Sequence, residues 1–172
     1  SGSNRILMPS GITDVVTVYS NDEAHVALKS NGTVVAWGDK RYGGDVEKNR
    51  NGTLSNVVSI SPTSKAFSAL TSEGKVVSWG YSGMGASTGS WSDPITVQMR
   101  TGGVIKVVGH RSAFCVLMDD GTVIEWGDVD RDWVDGAWVS PHLTPINANG
   151  DIVNLYNTYG SFAVIKSDHS VV

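Results

Sequence analysis

The chain has 172 residues, 40% of them hydrophobic and only 17% charged, with 20 glycines; it is long enough for one domain with a real core and too apolar for a disordered segment. A formal net charge of −4 and a pI near 5.4 argue against nucleic acid or an anionic membrane as the main partner, because neutralising phosphates needs a basic footprint. One cysteine, Cys115, excludes an intramolecular disulfide framework and a multi-thiolate zinc site.

No apolar run approaches the ~20 residues that span a bilayer. The 24 Val and 9 Ile outnumber the 7 Leu, and β-branched residues suit a pleated surface better than a helix. The expected class is all-β. Ser1-Gly2-Ser3, without Met, reads as an expression-tag remnant, and residues 1–14 as that remnant plus a lead-in to the first strand.

From Val15 the sequence repeats itself. Val15–Gly38, Val57–Gly80 and Val104–Gly127 align without a gap, and Ile152–Val172 begins a fourth copy. The units are assigned as 15–56, 57–103, 104–151 and a partial 152–172, all in one domain. Each opens on an apolar strand, crosses a polar stretch and continues through a second strand such as Ala66-Phe67-Ser68-Ala69-Leu70. A turn then leads to a third strand, which in the first three units ends in Trp-Gly. Gly32, Gly74 and Gly121 stand at the turn, where a positive φ is expected; His169 replaces them in the fourth unit and makes a weaker turn. Trp37, Trp79 and Trp126 recur in one register and are read as core or inter-unit packing elements.

The run Ala27-Leu28-Lys29-Ser30-Asn31-Gly32-Thr33-Val34-Val35-Ala36-Trp37-Gly38, continued by Asp39-Lys40-Arg41-Tyr42-Gly43-Gly44, resembles the repeat of the regulator of chromosome condensation family. The resemblance covers nearly the whole chain from Val15 and implies β-propeller blades of antiparallel strands, here about three to four of them, a partial or incomplete propeller. Ala24, Ala66, Ala113 and Ser161 stand where that family commonly has His. This departure resembles the divergent bacterial members, which implies a module of a larger secreted or surface protein, or an inhibitor that binds enzymes. Nucleotide exchange is not implied. Fewer than four units leave three expectations open: a piece of a longer array, a partial propeller, or copies that associate to complete a ring.

Catalytic chemistry has little support. His25, His110, His142 and His169 occupy unrelated repeat positions, and no nucleophile or carboxylate stands at motif spacing to any of them. Cys115 takes the place of Val26 and Ser68 and reads as a small buried residue. No cofactor or metal is assigned. Asn31-Gly32-Thr33 and Asn51-Gly52-Thr53 match the glycosylation sequon and are read as turns.

Recognition is expected in the segments between units, 39–56, 81–103 and 128–151. The third is richest: Asp128, Asp130 and Asp132 alternate beside Trp133 and Trp138. Alternating carboxylates resemble the start of a calcium loop, but Trp133 stands where the sharp-turn Gly belongs and no Glu follows at the twelfth position. Alternatively, the two indoles form an aromatic and polar platform for a protein or glycan, or they fold inward over the blade while the carboxylates stay solvated. Tyr42 and Trp91 are candidates of the same kind in the first two segments.

The expectation is therefore a non-catalytic binding module of the adhesin or toxin-delivery type, extracellular or on a bacterial surface. It would recognise a protein or glycan, with no nucleic acid and no membrane insertion. An enzyme-inhibitory propeller and a structural or oligomerising spacer are the alternatives.

Overall fold

The computed structural model describes residues 8–46, 54–86, 101–128, 132–134, 137–139, 146–147 and 151–171. Three antiparallel sheets follow one another along the chain. Blade 1 is β1 (Val15–Ser20), β2 (Ala24–Lys29) and β3 (Val34–Gly38); blade 2 is β4 (Val57–Pro62), β5 (Ala66–Thr71) and β6 (Val76–Gly80). Blade 3 is β7 (Val104–Gly109), β8 (Ala113–Met118) and β9 (Thr122–Gly127). A hairpin of β10 (Asp132–Val134) and β11 (Ala137–Val139) follows, and β12 (Ile146–Asn147) then adds to β9 as the fourth, outermost strand of blade 3. Blade 4 pairs β13 (Ile152–Asn157) with β14 (Phe162–Lys166), and Val171 bridges to Ile165 where a third strand would start.

The first strand of every blade carries the same bulge, after Val15, Val57, Val104 and Ile152, so the repeat extends to backbone register. Each blade is apolar on both faces, and the core lies between blades. Ala24, Val26 and Leu28 of blade 1 pack on Val57, Ile60 and Phe67 of blade 2. Leu70 and Val76 meet Val104, Val107 and Phe114 in the same way, and Cys115 and Leu117 meet Ile152, Leu155 and Val164. This stacking of identical faces is the reason that a two-sided apolar strand pattern recurs in every unit.

Gly32 has φ +76°, and a Cβ there would sit 3.2 Å from Cα of Asn56, just before blade 2. The turn glycine thus serves a positive φ and close blade approach together. His169 adopts φ +66° at the matching place in blade 4. The tryptophans diverge from their common register. Trp79 and Trp126 are buried, and their Nε1–H groups donate to the carbonyls of Gly43 and Gly85 in the preceding blade, both at 3.0 Å. Trp37 is only half-buried, since among the described residues no blade lies against the front of blade 1 to cover it.

Candidate functional site

The chain turns between first and second strands, and the segments leaving each third strand, emerge at one end of the blades. Asn21, Thr63, His110 and Thr158 hold the same place in the four inner turns. Asn21 Oδ1 accepts from the Glu23 and Ala24 amides, while its Nδ2 donates to the Tyr42 carbonyl at 2.8 Å. Thr63 Oγ1 donates to the Met84 carbonyl at 3.0 Å. In blades 1 and 2 Asn21 and Thr63 thus tie the inner turn to the 3-10 turn that follows the blade, Lys40–Tyr42 or Ser82–Met84.

Asp39 caps the first of these turns. Its carboxylate accepts from the Arg41 amide at 2.8 Å and from Arg41 Nη2 at 2.7 Å, and the Arg41 guanidinium holds the Asp39 carboxyl below its ordinary range. The pair is exposed and adds little stability; it orients Arg41. The Arg41 guanidinium lies 5.1 Å from the centre of the Tyr42 ring and Lys65 Nζ lies 4.9 Å from it. Tyr81 of blade 2 meets the same ring edge-on at 5.9 Å and is itself exposed. On blade 4, Tyr159 is 73% exposed, with the Arg111 guanidinium 5.6 Å from its ring. Two cation-bearing aromatic groups therefore occupy this end, one spanning blades 1 and 2 and the other blades 3 and 4. Tyrosine and arginine in such settings are the residue types that anchor protein interfaces.

Among the expected site residues, Tyr42 lies in this cluster, and Asp128 is exposed where blade 3 exits. Trp133 pairs with Trp138 across the β10–β11 hairpin, one residue from Asp132. Asp130 and Trp91 fall outside the described residues, as does His142. Tyr81, Lys65, Arg111 and Tyr159 were missed. The signal was present: Ser64, Arg111 and Tyr159 share one turn position, next to Lys65, where residue type varies within a constant frame.

Among the described residues no three metal-ligating side chains converge. His110 acts as a turn cap: its Nδ1 accepts from the Ser112 amide at 3.2 Å, and Nε2 stands 3.5 Å from Glu125, whose carboxyl burial pushes up. His25 contacts Ser20 Oγ at 2.7 Å and lies tilted against Trp37, ring centres 5.3 Å apart. Cys115 is buried, and burial pushes its thiol far above the ordinary range, with Glu125 acting in the same direction. Iodoacetamide at neutral pH is expected to leave folded Cys115 unmodified and to label it on unfolding; rapid labelling of the folded chain would contradict this packing.

No protein-family model matches the chain, and no curated protein matches it by sequence. Solved structures do. Human WBSCR16 superposes with a TM-score of 0.59 at 15% identity, over 98% of this chain and 50% of that one. Prp20, the yeast RCC1, solved with Kap60, gives 0.60 at 20% identity over 91% and 41%. The CRINKLY WD40 ectodomain of the Arabidopsis thaliana receptor kinase ACR4 gives 0.56 at 19% over 99% and 55%. The chain thus spans about half the length of these neighbours. At such identities the likeness establishes fold alone, and that fold is an incomplete β-propeller with blades of the RCC1 type.

Proposed function

We propose that this chain is a non-catalytic protein-binding module that engages its partner with the loop end of its blades. The observation that carries the reading is the Tyr42 ring, flanked by Arg41 and Lys65 and abutted by exposed Tyr81. Such a cluster is ordered by the frame before binding, so little side-chain entropy is lost on contact. The fold's record supports a protein as partner: Prp20 is described bound to Kap60 and for its binding to Gsp1p and histones. The resemblance to divergent bacterial repeats extends the proposal to a secreted or surface protein that recognises a host protein or glycan.

The test uses the immobilised chain to capture proteins from an extract, beside a glycan array probed with the same chain. Tyr42→Ala combined with Tyr81→Ala is expected to weaken a captured partner about 100-fold, the effect of losing two interface anchors, with thermal unfolding confirming the fold. Unchanged capture by the double variant would refute the loop-end reading, and array signal without protein capture would replace a protein partner with a glycan.

A further inference from the structure

We infer that a second copy of this chain docks head to tail, the front face of blade 1 on the rear face of blade 4, closing a two-fold ring. This goes beyond the loop-end reading and does not depend on it. The front face is apolar and open. Val15 is 42% exposed and Val18 50%, whereas their equivalents Val57 and Ile60, Val104 and Val107, and Ile152 and Leu155 are all 6% exposed or less. In each buried case the cover is the rear face of the preceding blade.

Blade 4 presents that kind of face with no further blade on it among the described residues, although Lys106 Nζ of blade 3 reaches to 4.8 Å from the Tyr156 ring and Asn154 Nδ2 donates to the Tyr156 hydroxyl at 2.9 Å. Tyr156, Ala163 and Ile165 stand where Tyr19, Val26 and Leu28 of blade 1 cover Val57 and Ile60, and Tyr156 is 48% exposed. The backbone supplies the matching polarity. The Asp22 amide donates to the Ser64 carbonyl at 3.2 Å, Ser64 to Arg111 at 2.9 Å and Arg111 to Tyr159 at 3.1 Å, one step per blade. Among the described residues this ladder ends on an unused Tyr159 amide and starts from an unused Asp22 carbonyl. Tyr159 of one copy donating to Asp22 of the other continues the ladder through both junctions.

Blade 4 offers two strands and only the start of a third at Val171, and His169 is a misfit at its turn. It replaces the turn glycine whose Cβ position lies 3.2 Å from the next blade, so His169→Gly is expected to tighten docking.

Light scattering on the purified chain at rising concentration is expected to show a species of twice 18.3 kDa. Val15→Lys with Val18→Lys, at positions exposed in the single chain, should weaken it about 100-fold by burying unpaired charge, and Tyr156→Asp should weaken it similarly. Because each junction joins one front to one rear, mixing the two variants restores a single intact junction and a heterodimer. A mass that stays at 18.3 kDa throughout overturns the inference. So does a dimer that the front variant breaks and Tyr156→Asp leaves intact, which would place front against front.

Discussion

Trp79→Ala is expected to lower the unfolding free energy by about 4 kcal/mol, near the upper end for truncating a buried aromatic, while Trp37→Ala costs about 1 kcal/mol or less. Both belong to the same Trp-Gly register. Trp79 is wholly buried, stacks on Phe67 with ring centres 5.6 Å apart and donates to the Gly43 carbonyl at 3.0 Å. Truncation opens an indole-sized cavity between blades 1 and 2 and leaves a buried carbonyl without its donor, two losses that add. Trp37 is half-buried against His25 and, among the described residues, has no preceding blade against which to pack. Urea titrations of both variants, at concentrations below self-association, check the contrast; equal effects would mean that the indole's worth lies within its own blade. A loss of ~4 kcal/mol is a large share of the 5–15 kcal/mol that holds a typical domain together.

The same contrast marks how far residue patterns carry. Trp37, Trp79 and Trp126 share spacing, flanking glycine and strand position, so the frame was legible: strands, turn glycines, and an indole set against the neighbouring unit. Cys115 was readable for the same reason, since alignment with Val26 and Ser68 gives its environment. The difference among the tryptophans depends on what precedes each blade, which no local pattern records. Sites that join units were hidden for the same cause. Tyr42 meets Lys65 and Tyr81, 23 and 39 residues along the chain, and both fall in polar stretches that vary from copy to copy. A repeat reveals what its copies have in common, whereas a binding surface is built from what they do not share. The acidic third segment stands out by composition and Tyr42 by its place in the first segment, but the Lys65 and Tyr81 that join Tyr42 come from the next blade and give no local signal.

Gly85→Ala is expected to destabilise the chain by about 3 kcal/mol, combining a left-handed backbone penalty with overpacking. Gly85 ends the second 3-10 turn at φ +93°, and a Cβ there would lie 2.5 Å from Cδ2 of Phe114. Phe114 cannot yield, because it is fully buried and packed at a tilt against Trp126, ring centres 5.4 Å apart. Nor can the backbone withdraw freely, since the Gly85 carbonyl accepts from Trp126 Nε1. One residue is thus held by its own φ, by an aromatic ring beside it and by the hydrogen bond it accepts. Gly43 repeats all three constraints against Phe67 and Trp79, with φ +102° and a Cβ distance of 2.6 Å. Gly83, inside the same 3-10 turn, would meet the Tyr81 ring at 2.9 Å, an exposed ring that can shift by a few tenths of an ångström, so Gly83→Ala serves as the control and should change stability little. If Gly85→Ala and Gly83→Ala unfold at the same denaturant concentration, the junction between blades 2 and 3 is looser than the packing of Phe114 and Trp126 implies. If only Gly85→Ala fails, each Trp-Gly unit is locked to the one before it through a glycine, and the loop-end tyrosines rest on a platform set by that lock.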